Sequence, residues 1–302
     1  MVIGTASVPV SLSQDWTAEY RGVVIGVPGS PLSFTEIAGL LDAPAVRTND
    51  RATLNRHGEI SGTDWLGART VTLVIEVNAE SADEFASNMA ALNEAFAPVR
   101  SVSPFSFRFP GVAGGGSRVV WGKVRKRVTV MDWAYTHHYA TMSVELYCPE
   151  PFVLSTTSGT GRATLPASIA PPGSGIRFPL VFPVRFGQSQ SAEVVRVDNP
   201  GDFAAPLRLT LRGPIGDPAV VNLGTGEQLE FAYTLLAGQW LTVDTATRDV
   251  LFNGTPRFLT PGRRNTWLTA PPGFSTFGLR GVRLTDTGPE PELIAEWSAT
   301  WV

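Results

Sequence analysis

From Thr70 to Asn78 apolar and polar residues alternate: Val71, Leu73, Ile75 and Val77 fall on one face, Thr70, Thr72 and Glu76 on the other, and only Val74 breaks the pattern. That spacing predicts a strand with one buried and one wet face. The period then changes. Ser81 and Glu84 form an S-x-x-E capping box, in which the serine hydroxyl accepts the amide of the third helical residue while the glutamate reaches back. A helix should open at about Ala82. Phe85, Met89, Leu92 and Phe96 recur at steps of four, three and four, which lines one helical face, and Pro98 stops the helix at about Ala97. Ahead of the strand runs Arg56 to Arg69 (RHGEISGTDWLGAR), rich in glycine and turn residues. With the strand and helix that follow, it reads as an assembly module rather than an active site.

Strand patterns dominate elsewhere. In the first half they cover Tyr20 to Val27, Phe105 to Phe109, Arg118 to Met131 and Tyr139 to Tyr147. In the last of these Ala140, Met142, Val144 and Leu146 oppose Thr141, Ser143 and Glu145, the alternation of a half-buried antiparallel strand. Pro149 and Pro151 break it, and residues 155–175 (STTSGTGRATLPASIAPPGSG) read as a Gly/Pro/Ser-rich linker. Beyond it, short runs at Glu193 to Val197, Leu207 to Arg212, Gln228 to Leu235, Gln239 to Asp244 and Arg248 to Phe252 alternate with turn signals. They predict a sandwich or jelly roll. The final strand sets Leu293, Ala295, Trp297, Ala299 and Trp301 against Glu296, Ser298 and Thr300. The expected class is therefore mainly β: a first domain at 1–154 with one short helix, a linker at 155–175, and a β-sandwich at 176–302.

Composition agrees with many strands and turns. The 302 residues include 30 glycines and 24 prolines, and only 17% are charged. The formal net charge is −3, nearly balanced in each half, so no whole-domain field argues for nucleic acid or membrane binding. A single cysteine, Cys148, excludes an intrachain disulfide and reads as a small buried hydrophobe. No leader-like basic and apolar run opens the chain, and no window approaches the about 18 apolar residues of a membrane span. The expectation is a soluble protein made in a cytoplasm, without membrane insertion.

Reactive chemistry is sparse in the chain. His137 and His138 are adjacent, so in a strand their rings point apart and cannot share a metal ion. There is no G-x-S-x-G elbow, and Gly114-Gly115-Gly116 lacks the Lys-Ser/Thr of a phosphate loop. We expect no catalytic residue, no metal and no cofactor. Two constellations remain as candidate contact sites. The first is Phe105, Phe107 and Phe109 with Arg118, Lys123, Arg125, Lys126 and Arg127, taken as open strand edges. Their basic run is either a solvated edge kept from aggregating by charge or a surface that docks on an acidic neighbouring subunit. The second is Trp267, which follows Arg263-Arg264-Asn265-Thr266 and is the candidate glycan contact; the alternation of Trp297 and Trp301 with apolar residues places them in the core.

The order of these motifs resembles the distal tail proteins (siphovirus-type tail components, or minor tail proteins) of long-tailed non-contractile bacteriophages. The resemblance rests on Gly58 to Gly67 ending in Arg69, the alternating strand, and the capped helix ending Phe96-Ala97-Pro98. It continues through Phe178-Pro179-Leu180-Val181-Phe182-Pro183-Val184-Arg185-Phe186-Gly187, Val197-Asp198-Asn199-Pro200-Gly201, Asn222-Leu223-Gly224-Thr225-Gly226, and Leu241-Thr242-Val243-Asp244 with Asn253-Gly254. It implies a tail-tube-like first domain that assembles as a ring, typically hexameric, and a galectin-like second domain projecting outward. The implied role is a structural virion hub at the distal end of the tail. Its implied partners are other copies of itself, the tail tube, the tape measure, and the tail-tip hub and receptor-binding proteins, with DNA only passing through the lumen. The alternative is a carbohydrate-binding tail module that recognises the host wall.

Overall fold

The computed structural model describes residues 8–53, 55–165, 193–257, 265–284 and 288–302. Antiparallel strands build nearly all of it, with one α-helix at Ala82–Ala95. The chain divides into two units, Met1–Thr157 with Thr300–Val302, and Ser158–Ala299.

In the first unit one long strand, Arg118–Thr129, serves two sheets. Its residues Arg118 to Gly122 pair with the strand Ser103–Arg108, which pairs in turn with Thr17–Tyr20 and, beyond that, Val23–Ile25. Its residues Lys123 to Thr129 pair instead with Tyr139–Cys148, followed by Arg69–Asn78 and Leu32–Ala38. A bulge between Val124 and Lys126 makes Arg125 the extra residue; such an insertion bends a strand and sharpens its twist, which suits a strand passing from one sheet to another. The alternation in the sequence maps directly onto burial. Val71, Leu73, Ile75 and Val77 are fully buried, as are Met142, Val144 and Leu146 on the neighbouring strand. Each such side chain contributes about 1.5–3 kcal/mol of apolar burial.

The helix lays Phe85, Met89, Leu92 and Ala95 on this core, and Phe96 just past its end stacks on Tyr20 with ring centroids 5.1 Å apart. Ser81 Oγ accepts the Glu84 amide at 3.3 Å, as a capping box requires. Glu84 reaches further back than expected and accepts the amide of Glu80, one residue before the cap, at 3.0 Å. Ser81→Ala should cost about 1 kcal/mol, read as a lower urea midpoint; an unchanged midpoint would contradict the cap. The last helical turn carries no basic residue of its own. Two arginines from elsewhere replace it: Arg21 donates to Ala95 O at 2.9 Å and Arg127 to Asn93 O at 2.6 Å, placing positive charge at the negative end of the helix.

The second unit is a β-sandwich. One sheet contains Val194–Asn199, Gly273–Arg283, Ile215–Asn222 and Gln228–Glu230; the other contains Ala205–Arg212 between Trp240–Asp244 and Glu292–Trp301, with Asp249–Phe252 beyond. Leu207, Leu209, Leu211, Leu241, Val243 and Leu293 from one sheet meet Val195, Val197, Val220, Phe277 and Leu279 from the other in a single core.

The start of the expected linker is ordered differently from the sequence reading. Val153–Thr164 is a strand, and residues 166–175 lie outside the described residues. Its glycines are there for contact, not for slack: a Cβ on Gly159 would strike the Trp297 indole, and one on Gly161 would meet Val195 Cγ1 at 2.5 Å.

Candidate assembly interface

The structure redistributes the residues expected to form open edges. Ser103–Arg108 is flanked by a strand on each side, and Phe105, Phe107 and Phe109 are buried. The three rings stack in succession, with centroids 5.8 and 5.2 Å apart. The expectation of an exposed edge at these phenylalanines is therefore corrected. The outward-facing alternate position, Ser106, is covered as well, because its hydroxyl accepts the amide of Val10 at 3.1 Å. A strand buried on both faces looks in sequence like one with a single apolar face when its second face carries serine.

The basic run divides by role. Arg118 is half-buried: Nε donates to Ala113 O at 2.7 Å, Nη1 to Ser117 O at 3.0 Å, and the guanidinium lies 4.0 Å from the ring centroid of Trp301. Burial lowers its pKa from the ordinary arginine value, and nearby Arg108 adds to that. Arg127 caps the helix as described, and the Arg125 guanidinium sits over the Tyr147 ring at 3.3 Å. Lys123 is half-buried, and Lys126 is exposed opposite Glu145 in the ladder. Arg118 and Arg127 are thus engaged in contacts within the unit.

One edge does remain. Among the described residues, Lys123 to Thr129 pairs on one side alone, with Tyr139–Cys148. Its end runs into exposed apolar residues: Val128, Val130, Met131 at 77% exposure and Trp133 at 76%.

A second feature was legible only as a glycine-rich stretch. Between Leu41 and Leu66 the chain forms an arm of paired two-residue strands, Val46–Arg47 with Trp65–Leu66 and Arg51–Ala52 with Glu59–Ile60. Nearly every described residue of this arm is exposed, including Leu41, Val46, Ile60 and Trp65. A lone two-stranded hairpin is marginal in water, and the exposed apolar residues along it make the arm a candidate contact surface.

The arm's root, by contrast, is fixed. Arg69 is 2% exposed; its Nη1 donates to Gly39 O at 2.6 Å, Leu40 O at 3.1 Å and Asp42 O at 2.8 Å, and its Nε donates to Pro151 O at 2.8 Å. Gly39 has φ +89°, and a Cβ there would collide with Thr70 O, so the turn into the arm requires glycine. Burial pulls the Arg69 pKa below its ordinary value, opposed by Cys148 and Asp42. Cys148 beside it is fully buried, and burial pushes its thiol up to about 12, against the favourable field of Arg69. Since the thiolate is the reactive form, Cys148 should resist a maleimide at pH 8 in native protein and react rapidly in urea. Fast native labelling would show that this root opens.

Trp267, the candidate glycan contact, is half-buried and packs against the sandwich core. Arg263 and Arg264 before it lie outside the described residues, as does the segment 178–187. Trp301 is buried, and the half-buried Trp297 donates its Nε1–H to Asp198 O at 2.9 Å.

No protein-family model matches the chain, and no curated protein matches it. Solved structures do. The Dit protein of phage SPP1, described as a paradigm of the hub adsorption apparatus in phages infecting Gram-positive bacteria, is 14% identical, with a TM-score of 0.59 over 95% of this chain and 99% of that one. The phage P2 baseplate in its activated conformation is also matched: with calcium at 9% identity and a TM-score of 0.45, covering 93% of this chain and 97% of that one, and with strontium at 10% and 0.44, covering 92% and 96%. The SPP1 likeness defines the fold of this chain: mainly β, and shared with Dit over nearly the whole of both chains.

Proposed function

We propose that this chain is a structural, non-enzymatic virion protein, the distal hub of a phage tail. In this reading the first unit closes into a ring, hexameric as in the resembling family, at the end of the tail tube. It contacts the tube and the tape measure on one side and the tail-tip and receptor-binding proteins on the other, with DNA crossing the lumen. The observation that carries the proposal is the likeness to the SPP1 hub protein over 95% of the chain, spanning both units instead of one reusable domain. Fold alone does not set function; the surface supplies the physical means. A ring requires two different patches on each copy, and the first unit has two: the projecting arm with Val46, Ile60 and Trp65, and the unpaired side of Lys123 to Thr129 with Val128, Met131 and Trp133 nearby.

Gold-labelled antibody against the second unit, applied to particles of the phage that encodes the chain, should mark the distal end of the tail. Label spread along the tube, or found at the capsid, would overturn the assignment.

A further inference from the structure

The outer face of the sandwich carries a constellation that the hub reading does not use. Strand register sets Arg212 directly between Trp240 on one neighbouring strand and Glu292 on the other. The residues alternating with them, Leu211, Leu241 and Leu293, are buried, so this row points away from the core. The face is not flat here. Trp240, Arg212 and Glu292, with Gln239 and Glu290, border an open depression of about 410 Å³ where Gly213 and Gly238 contribute no side chains.

The polar groups are held in place. The Glu292 carboxylate, only 18% exposed, lies between two arginines, with Arg212 Nη1 at 3.5 Å from one oxygen and Arg162 Nη1 at 3.4 Å from the other. The backbone of Trp240 is fastened on both sides by Asn253, whose Oδ1 accepts its amide at 2.9 Å and whose amide donates to its carbonyl at 3.0 Å. Trp240 as a whole stays 38% exposed. Further along the same face come Thr210 and Thr242, then Arg208 paired with Glu296 at 3.9 Å.

This chemistry selects a ligand class. A flat aromatic surface offers stacking to the C–H face of a pyranose ring. Adjacent guanidinium and carboxylate groups donate to and accept from its hydroxyls, each of which is both donor and acceptor. The charges here are mutually paired, Glu292 with Arg212 and Arg162 and Glu290 with Arg283 at 3.7 Å, so the rim presents no strong field of one sign to draw in a phosphate or a cation. An apolar peptide would leave the buried end of the Arg212–Glu292 pair without compensating hydrogen bonds. We propose that this depression binds a neutral pyranose unit of a glycan, with Trp240 as the stacking platform and Arg212 and Glu292 as the hydroxyl readers. The proposal does not rest on the hub reading, and either can fail alone.

The test titrates the full chain with galactose, glucose and N-acetylglucosamine, and with a trisaccharide of each, following saturation-transfer NMR and tryptophan fluorescence. Transfer is expected to the ring protons of at least one sugar, and its affinity should fall about tenfold or more in Trp240→Ala while Trp240→Phe retains part of it. Trp240 is partly covered, so each variant is first shown to be folded by circular dichroism and by a cooperative unfolding transition, and binding is compared only under conditions where both are native, which separates lost binding from lost fold. Absence of transfer across this panel overturns the proposal, as does transfer unchanged by Trp240→Ala. Capture of a tail protein that needs Trp240, with no sugar bound, would assign the face to protein docking and likewise overturn it.

Discussion

Substitution of Arg69 by alanine is expected to destabilise the first unit by about 3–5 kcal/mol, the size of effect that follows when a buried hydrogen-bond network is broken. The guanidinium donates to four backbone carbonyls, three from the turn into the arm and one from the segment after Tyr139–Cys148. Removing it strands those acceptors in a site that is almost closed to water, and each unsatisfied group costs about 1–3 kcal/mol unless water enters. Lysine cannot rescue the site, because an ammonium lacks the fork that reaches both segments at once. Urea unfolding followed by circular dichroism checks this. A midpoint within error of wild type for both Arg69→Ala and Arg69→Lys would show that the arm root is not held by this residue.

The second large effect concerns assembly and leaves folding almost untouched. Ile60→Ala with Trp65→Ala removes two exposed apolar side chains from the arm. Surface substitutions of this type change stability by about 0.5 kcal/mol or less. If the arm seats on a neighbouring copy, the same pair removes an interfacial anchor, and loss of a buried aromatic anchor costs about 2 kcal/mol or more at each contact. Ring closure compounds that loss over every interface. The double variant should therefore unfold like wild type yet remain monomeric where wild type assembles. Wild-type assembly by a correctly folded variant would exclude the arm from the interface.

What the sequence disclosed, and what it did not, follows from physics at particular residues. The Arg69–Asn78 and Tyr139–Cys148 strands were legible because each has one wet face, so alternation survives in the letters. The helix was legible from its cap and its apolar stripe. Ile215–Asn222 was not, because Asp217 at φ +47° and Pro218 mark a bulge inside the strand and imitate a turn. Val153–Thr164 looked like a linker because Gly159 and Gly161 interrupt it, where any side chain would collide with Trp297 of the adjacent strand or with Val195 of the other sheet. The Phe105 strand was recognised as a strand but misplaced at an edge, since its second partner, Thr17–Tyr20, is distant in sequence and leaves no local trace. For the candidate interface, the basic run was found, but the use of Arg118 and Arg127 in internal contacts depends on Trp301 and Asn93, far away in the chain. The Trp240 depression was invisible for the same reason: Arg212, Trp240 and Glu292 meet through register alone.

The central claim is that the first unit closes into a ring. Mass photometry with negative-stain imaging of the purified chain, across a concentration series with and without its tail-tube protein, tests it most directly. The account predicts closed rings with a central hole at a mass near six copies, formed alone or on the tube. A monomer at every concentration, both alone and with the tube present, would contradict it.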